Sequence, residues 1–197
     1  MRVKNLTVFL LVFAGFILPA LGSDQGVIDH TDKVLLLNVA TEMYREENGV
    51  TINYLDWTLL TAWAFEDGDG KWIVTAGHLV RYDAARVKKI LCIFKSGQKT
   101  PREMTLVGYD HMTDTALLKF VQADADKDLQ FLELGNSSSL KIGQRVFSFG
   151  HIYPLRWATT VGTINDPNLV APIAGVSFQS VHFIIHDSPI NPGGSGS

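Results

Sequence analysis

From Thr51 onward the sequence breaks into short apolar runs separated by turn residues, and this spacing restricts the fold more than any other feature. Thr58–Glu66 and Lys71–Thr75 flank Asp67-Gly-Asp-Gly70, a hairpin signal. Further strands are predicted at Val87–Phe94, Glu103–Tyr109, Ala116–Val121, Arg145–Phe149, Thr159–Asn165, Val176–Phe178 and His182–His186. Many short strands at close spacing point to an all-β barrel or sandwich. Residues 32–47 read differently. Thr31 or Asp32 is a candidate cap, apolar residues dominate the front and Tyr44-Arg-Glu-Glu-Asn-Gly49 closes the segment, so a helix is predicted there. The run Val34-Leu-Leu-Leu37 suits the start of a strand equally well.

The first residues carry an address. Arg2 and Lys4 precede an apolar run from Leu6 to Leu18, and Ala20 and Gly22 form a small-x-small pair. This is the pattern of a secretory signal peptide over residues 1–22, cleaved after Gly22. An uncleaved anchor is the competing reading, but the run is short against the ~20 residues that span a bilayer. Export to the periplasm or beyond follows, and the single Cys92 suits a bacterial envelope better than a disulfide-rich exterior. One cysteine also excludes an internal disulfide framework and any multi-cysteine metal site. A formal net charge of −3 with no basic block offers nucleic acid no footing.

Three motifs carry chemistry. In Trp72-Ile-Val-Thr-Ala-Gly-His-Leu-Val80 a strand ends in small residues that present His78, a natural general base near neutral pH. In Tyr109-Asp-His-Met-Thr-Asp-Thr-Ala-Leu-Leu-Lys-Phe120, Asp114 stands directly before a strand, where a held carboxylate orients a histidine. Asp110 competes for that role, and Asp114 is preferred for its position against Ala116-Leu-Leu118. In Asp187-Ser-Pro-Ile-Asn-Pro-Gly-Gly-Ser-Gly-Ser197, Ser195 is framed by Gly193, Gly194 and Gly196, which give a nucleophile loop its backbone freedom. A flexible linker is the plainer reading of Gly-Gly-Ser-Gly-Ser, but the rigid lead-in speaks against it.

The order His, Asp, Ser along a β-rich chain is that of chymotrypsin. From about Thr61 to Ser197 the sequence resembles the trypsin-like serine proteases, specifically their bacterial HtrA (Deg) branch. Gly108 to Lys119, Leu134 to Gly150 and Thr159 to Ile164 are similar to further stretches of that branch. The resemblance implies two six-stranded antiparallel β-barrels, the second incomplete and cut two residues after the nucleophile, with a short N-terminal helix. The expected domains are an N-terminal segment at 23–50, a first barrel at 51–135 with His78 and Asp114, and a partial second barrel at 136–197 with Ser195. It further implies a His78-Asp114-Ser195 triad, an oxyanion hole from the backbone of Gly193, Gly194 and Ser195, no cofactor, polypeptide substrates and a trimeric assembly.

Departures from the branch are informative. Its usual Gly-Asn-Ser-Gly-Gly is here Gly-Gly-Ser-Gly-Ser, so Gly194 replaces Asn and the oxyanion loop is expected to gain freedom. Ser197 is closer to the glutamyl endopeptidase pattern. Pro189 stands where trypsin-like pockets carry an Asp, so a small or medium apolar residue is expected at the cleaved position. Asp124, Asp126 and Asp128 mimic a calcium loop, but Leu129 and Gly135 break the pattern, and His182 with His186 lack a third ligand. No metal is expected. The alternative functions are a catalytically silent binding or chaperone module, or an inactive fragment.

Overall fold

A strand that is apolar at every position needs cover on both faces. Val34-Leu-Leu-Leu37 meets that condition: all four side chains are buried, and the segment is strand β1 (Val34–Glu47), not the helix expected over 32–47. Leu35, Leu37 and Val39 point into one core, while Val34 on the opposite face packs against Phe147 and Phe149 of a second sheet. An unbroken apolar run hides the two-residue period by which a half-buried strand is recognised. The closing Asn48-Gly49 is not a helix end. Both residues have positive φ, 52° and 76°, and join Glu47 to its partner Val50 as the two-residue turn of a hairpin.

The computed structural model describes residues 30–80, 83–95, 100–122, 124–170 and 182–197. Strands β1, β2 (Val50–Asp67), β3 (Gly70–Ala76), β4 (Val87–Phe94), β5 (Arg102–Asp110) and β6 (Thr115–Phe120) close into an antiparallel barrel in the order β1-β2-β3-β6-β5-β4. The barrel therefore begins at Val34 rather than 51. Its core contains Leu35, Leu37, Leu60, Ile90, Cys92 and Leu118, each at most 2% exposed. Burying a leucine of this kind contributes roughly 1.5–3 kcal/mol. Cys92 belongs to that core, where burial pushes its thiol up to about 12, so it is an inert filler.

Beyond the barrel, β7 (Arg145–Gly150), β8 (Ala158–Leu169) and β9 (Phe183–His186) form an antiparallel three-stranded sheet. These three strands stand, among the described residues, where a second barrel was expected. The strand expected at Val176–Phe178 and the leader expected at 1–22 lie outside the described residues. The connector after β6 is fixed by ion pairs: Lys71 Nζ lies 3.0 Å from Asp126 Oδ2, and buried Arg102 binds Asp128 and the Ala125 carbonyl. Two of the three carboxylates that mimic a calcium loop are thus engaged by cations.

Candidate active site

Strand pairing brings the first two motif residues together. Ala76 at the end of β3 pairs with Thr115 at the start of β6, so the residues just beyond each, His78 and Asp114, leave the barrel side by side. The chain turns after Ala76 through a 3₁₀ turn, Gly77–Leu79. A Cβ at Gly77 would lie 2.7 Å from the Thr115 nitrogen, so only glycine lets this turn lie flat on β6. Gly77 N–H donates to the Asp114 carbonyl at 2.7 Å, and His78 N–H donates to Asp114 Oδ1 at 2.6 Å. Asp114 Oδ2 then lies 2.8 Å from His78 Nδ1. Asp114 has φ 50°, a left-handed conformation that aspartate tolerates better than most residues, and it directs the carboxylate at the histidine.

Asp110 takes no part in this pair. Its Oδ1 accepts from Met112 N–H at 2.9 Å and its Oδ2 from the Thr113 hydroxyl at 2.7 Å, so it builds the turn that carries Asp114. With Nδ1 donating to Asp114, a neutral His78 keeps its lone pair on Nε2, the form that accepts a proton from a nucleophile. Both side chains are partly exposed, at 45% and 38%, and so are open to a substrate.

The glycine-rich loop is held at nearly every peptide. Thr61 N–H donates to the Ser195 carbonyl at 2.8 Å, and the Thr61 hydroxyl donates to the Gly193 carbonyl at 3.1 Å. Tyr153 N–H donates to the Pro192 carbonyl at 2.9 Å and Ser197 N–H to the Gly194 carbonyl at 2.9 Å. A trans peptide directs its N–H opposite to its C=O. Fixing the Pro192 and Gly194 carbonyls therefore fixes the directions of the Gly193 and Ser195 N–H groups. The Gly194 N–H, grouped with those two on sequence, instead donates to the Asn191 carbonyl at 3.0 Å and closes a turn.

The flanking glycines are required by space as well as by dihedrals. Gly193 has φ 94°, and a Cβ there would come 2.2 Å from the His151 carbonyl oxygen. Gly196 has φ 88°, and a Cβ there would come 2.1 Å from the Thr61 carbonyl oxygen and 3.1 Å from the Ala76 nitrogen. Gly196 thus rests on the end of β3, two residues before His78, which sets Ser195 beside the histidine turn. Gly194 differs: its φ is not positive, and a Cβ would lie 3.1 Å from the Asn191 oxygen, with Ile190 Cγ2 and Ser197 Oγ at ordinary contact distance. Pro189 is exposed at the entry to the loop. Ahead of it, Asp187 grips Thr163 through its backbone N–H at 2.5 Å and its hydroxyl at 3.1 Å, bonds that hold its carboxyl below the usual range.

Sequence reasoning missed His151. It is 2% exposed, its N–H donates to the Thr61 hydroxyl at 3.0 Å, and its Nδ1 accepts from Trp157 N–H at 3.2 Å. Burial pushes it down to about 4, so it is neutral near pH 7. The available signal was a repeat: Phe149-Gly150-His151 copies the strand-Gly-His arrangement of Ala76-Gly77-His78.

Residues 61–197 match the family described as Trypsin-like peptidase domain. A protein of Halomonas elongata named "Probable periplasmic serine endoprotease DegP-like" is 38% identical over 131 residues, covering 66% of this chain and 24% of the relative. A protein of the same name from Chlamydia muridarum is 37% identical over 131 residues, covering 66% and 23%. The chain spans about a quarter of the length of these curated relatives. Among solved structures, a variant of the HtrA-type protease AlgW with decapeptide has a TM-score of 0.65 at 21% identity, over 84% of this chain and 50% of that chain. This last likeness is one of fold.

Proposed function

Because the chain belongs to the trypsin-like peptidase family, we propose that it acts as an exported serine endopeptidase, with His78, Asp114 and Ser195 as its triad. The observation that carries this reading is the 2.8 Å contact between His78 Nδ1 and Asp114 Oδ2, beside a nucleophile loop anchored on Thr61. Ser195 Oγ attacks the scissile carbonyl while His78 Nε2 takes its proton. Asp114 stabilises the imidazolium that results. The Gly193 and Ser195 N–H groups receive the negative charge that develops on the carbonyl oxygen. His78 next gives its proton to the leaving amine, and the C–N bond breaks to leave an acyl ester on Ser195. Water, deprotonated by His78, then cleaves the ester and restores the serine.

The substrates in this reading are exposed or unfolded polypeptide segments, in keeping with the peptides bound to the structural neighbours. Pro189 takes the place of a charged pocket base, which favours small or medium apolar side chains at the cleaved position. The word periplasmic in the relatives' names and the leader at 1–22 both favour export and a role in envelope protein quality control. Trimeric assembly belongs to the same proposal. The test is labelling of the full-length protein with a fluorophosphonate. Labelling that vanishes in Ser195→Ala supports the peptidase, and a folded protein that takes no label is a silent binding module.

A further inference from the structure

Resting on the triad reading, we infer that Thr61 is a positioning residue for the oxyanion donors, and that its hydroxyl holds them through Gly193. Thr61 lies on β2 and is 0% exposed. A hydroxyl buried this fully needs partners for both its donor and its acceptor. Both are present and neither belongs to the barrel ladder: it donates to the Gly193 carbonyl at 3.1 Å and accepts the His151 N–H at 3.0 Å. The main chain of the same residue completes the clamp. Its N–H donates to the Ser195 carbonyl at 2.8 Å, and its carbonyl accepts the Thr75 hydroxyl at 2.7 Å.

One residue thus binds three separate pieces of chain, the end of β3, the segment after β7 and the nucleophile loop. The consequence lies in the peptide planes. Thr61 fixes the carbonyls of Gly193 and Ser195, and these bracket the Gly194–Ser195 peptide whose N–H serves the oxyanion. Gly193 has no Cβ and a positive φ, so its own conformation restrains it little. The hydroxyl restrains the Gly193–Gly194 peptide at its carbonyl, as the bond from Gly194 N–H to the Asn191 carbonyl does at its other end, and the His151 N–H holds the hydroxyl's lone pair so that its proton faces Gly193. A valine at 61 has nearly the same shape but leaves the Gly193 carbonyl and the His151 N–H unpartnered, while the β1 and β3 pairing of β2 is unaffected.

The test compares Thr61→Val and Thr61→Ser in the full-length protein, with a fluorogenic peptide carrying valine at the cleaved position and with a fluorophosphonate. Thr61→Val lowers kcat and the labelling rate on the order of 10²-fold, with KM little changed and the thermal unfolding transition still cooperative. Thr61→Ser, which keeps the hydroxyl, recovers most of the loss. Affinity for a peptide trifluoromethyl ketone, whose adduct carries the oxyanion, falls in parallel with kcat. Should the valine variant fail to fold, Thr61→Ala removes the same hydroxyl and is judged by the same measurements. Wild-type kcat in either folded variant, or a loss that serine does not repair, overturns the inference while leaving the triad intact. Absence of Ser195-dependent labelling in the wild type overturns the triad reading itself.

Discussion

Asp114 holds His78 twice, by side chain and by main chain. One carboxylate oxygen lies 2.8 Å from Nδ1 and the other accepts the His78 N–H at 2.6 Å. The second bond matters because it fixes where the ring starts, and the first fixes how the ring is turned. Both depend on the register of β3 with β6, which sets Ala76 opposite Thr115. The geometry of the His78–Asp114 pair is thus inherited from the pairing of a barrel filled with buried apolar side chains.

Asp114→Asn keeps the shape of this pair and offers an amide that favours the wrong tautomer of His78. The expected result is a fall in kcat on the order of 10⁴-fold with little change in the unfolding transition. Asp110→Asn serves as the comparison. It weakens the turn bonds to Met112 and Thr113 and lowers activity far less. Steady-state hydrolysis of one fluorogenic peptide by both variants decides the matter, and equal losses would contradict the assignment.

Gly194 and Gly196, on either side of Ser195, are expected to respond unequally. Gly196→Ala forces a Cβ against the Thr61 carbonyl at a φ of 88°. It is expected to cost about 1–3 kcal/mol of stability and most of the activity. Gly194→Ala meets one carbonyl oxygen at 3.1 Å without left-handed backbone, and both properties stay close to the wild type. Urea midpoints and fluorophosphonate labelling rates measure the contrast. A tolerant Gly196 would mean that the loop does not rest on Thr61.

Much of this was legible in residue types and their order. His78 follows one apolar strand and Asp114 precedes another, and the order His, Asp, Ser suggested the triad proposed above. Asp114 was preferred to Asp110 for its place before the strand at Ala116–Leu118, and the turn supplies the reason that sequence lacks: Asp110 is already bound to Met112 and Thr113. The helix expected at 32–47 failed because Val34–Leu37 is covered on both faces, so no stripe or alternation distinguishes strand from helix. His151 was announced only by its Gly-His repeat of the His78 turn, and Thr61 was out of reach. Thr61 and Gly193 are 132 residues apart, and no local pattern announces a hydroxyl whose partners lie so distant in sequence.

The corrected β1–β2 hairpin can be tested at its tip. Gly49 has φ 76°, and a Cβ added there would meet open space, so backbone strain alone acts on a side chain at this position. Gly49→Ala is expected to lower stability by about 1 kcal/mol. Thermal unfolding followed by circular dichroism gives the sign, and a stabilised variant would contradict the left-handed hairpin turn at Asn48-Gly49.

His151 makes a prediction about pH. Burial pushes it down to about 4, partly offset by the Leu35 main chain and reinforced by the charge of Arg156, against 6.5 in the unfolded chain. Between these two values the unfolded chain binds more protons than the folded protein, so stability rises with pH across the window. The contribution of the neutral ring is complete above pH 6.5 and is lost as pH falls towards 4, at a scale of roughly 3 kcal/mol. His151→Asn keeps an acceptor for the Trp157 N–H but cannot titrate. Urea unfolding at several values between about pH 7.5 and 4.5 is expected to give a steeper decline for the wild type than for the variant. The carboxylates and His186, which burial also pushes down, are common to both proteins and cancel in the difference. Parallel curves would mean that His151 takes up a proton without leaving its buried site.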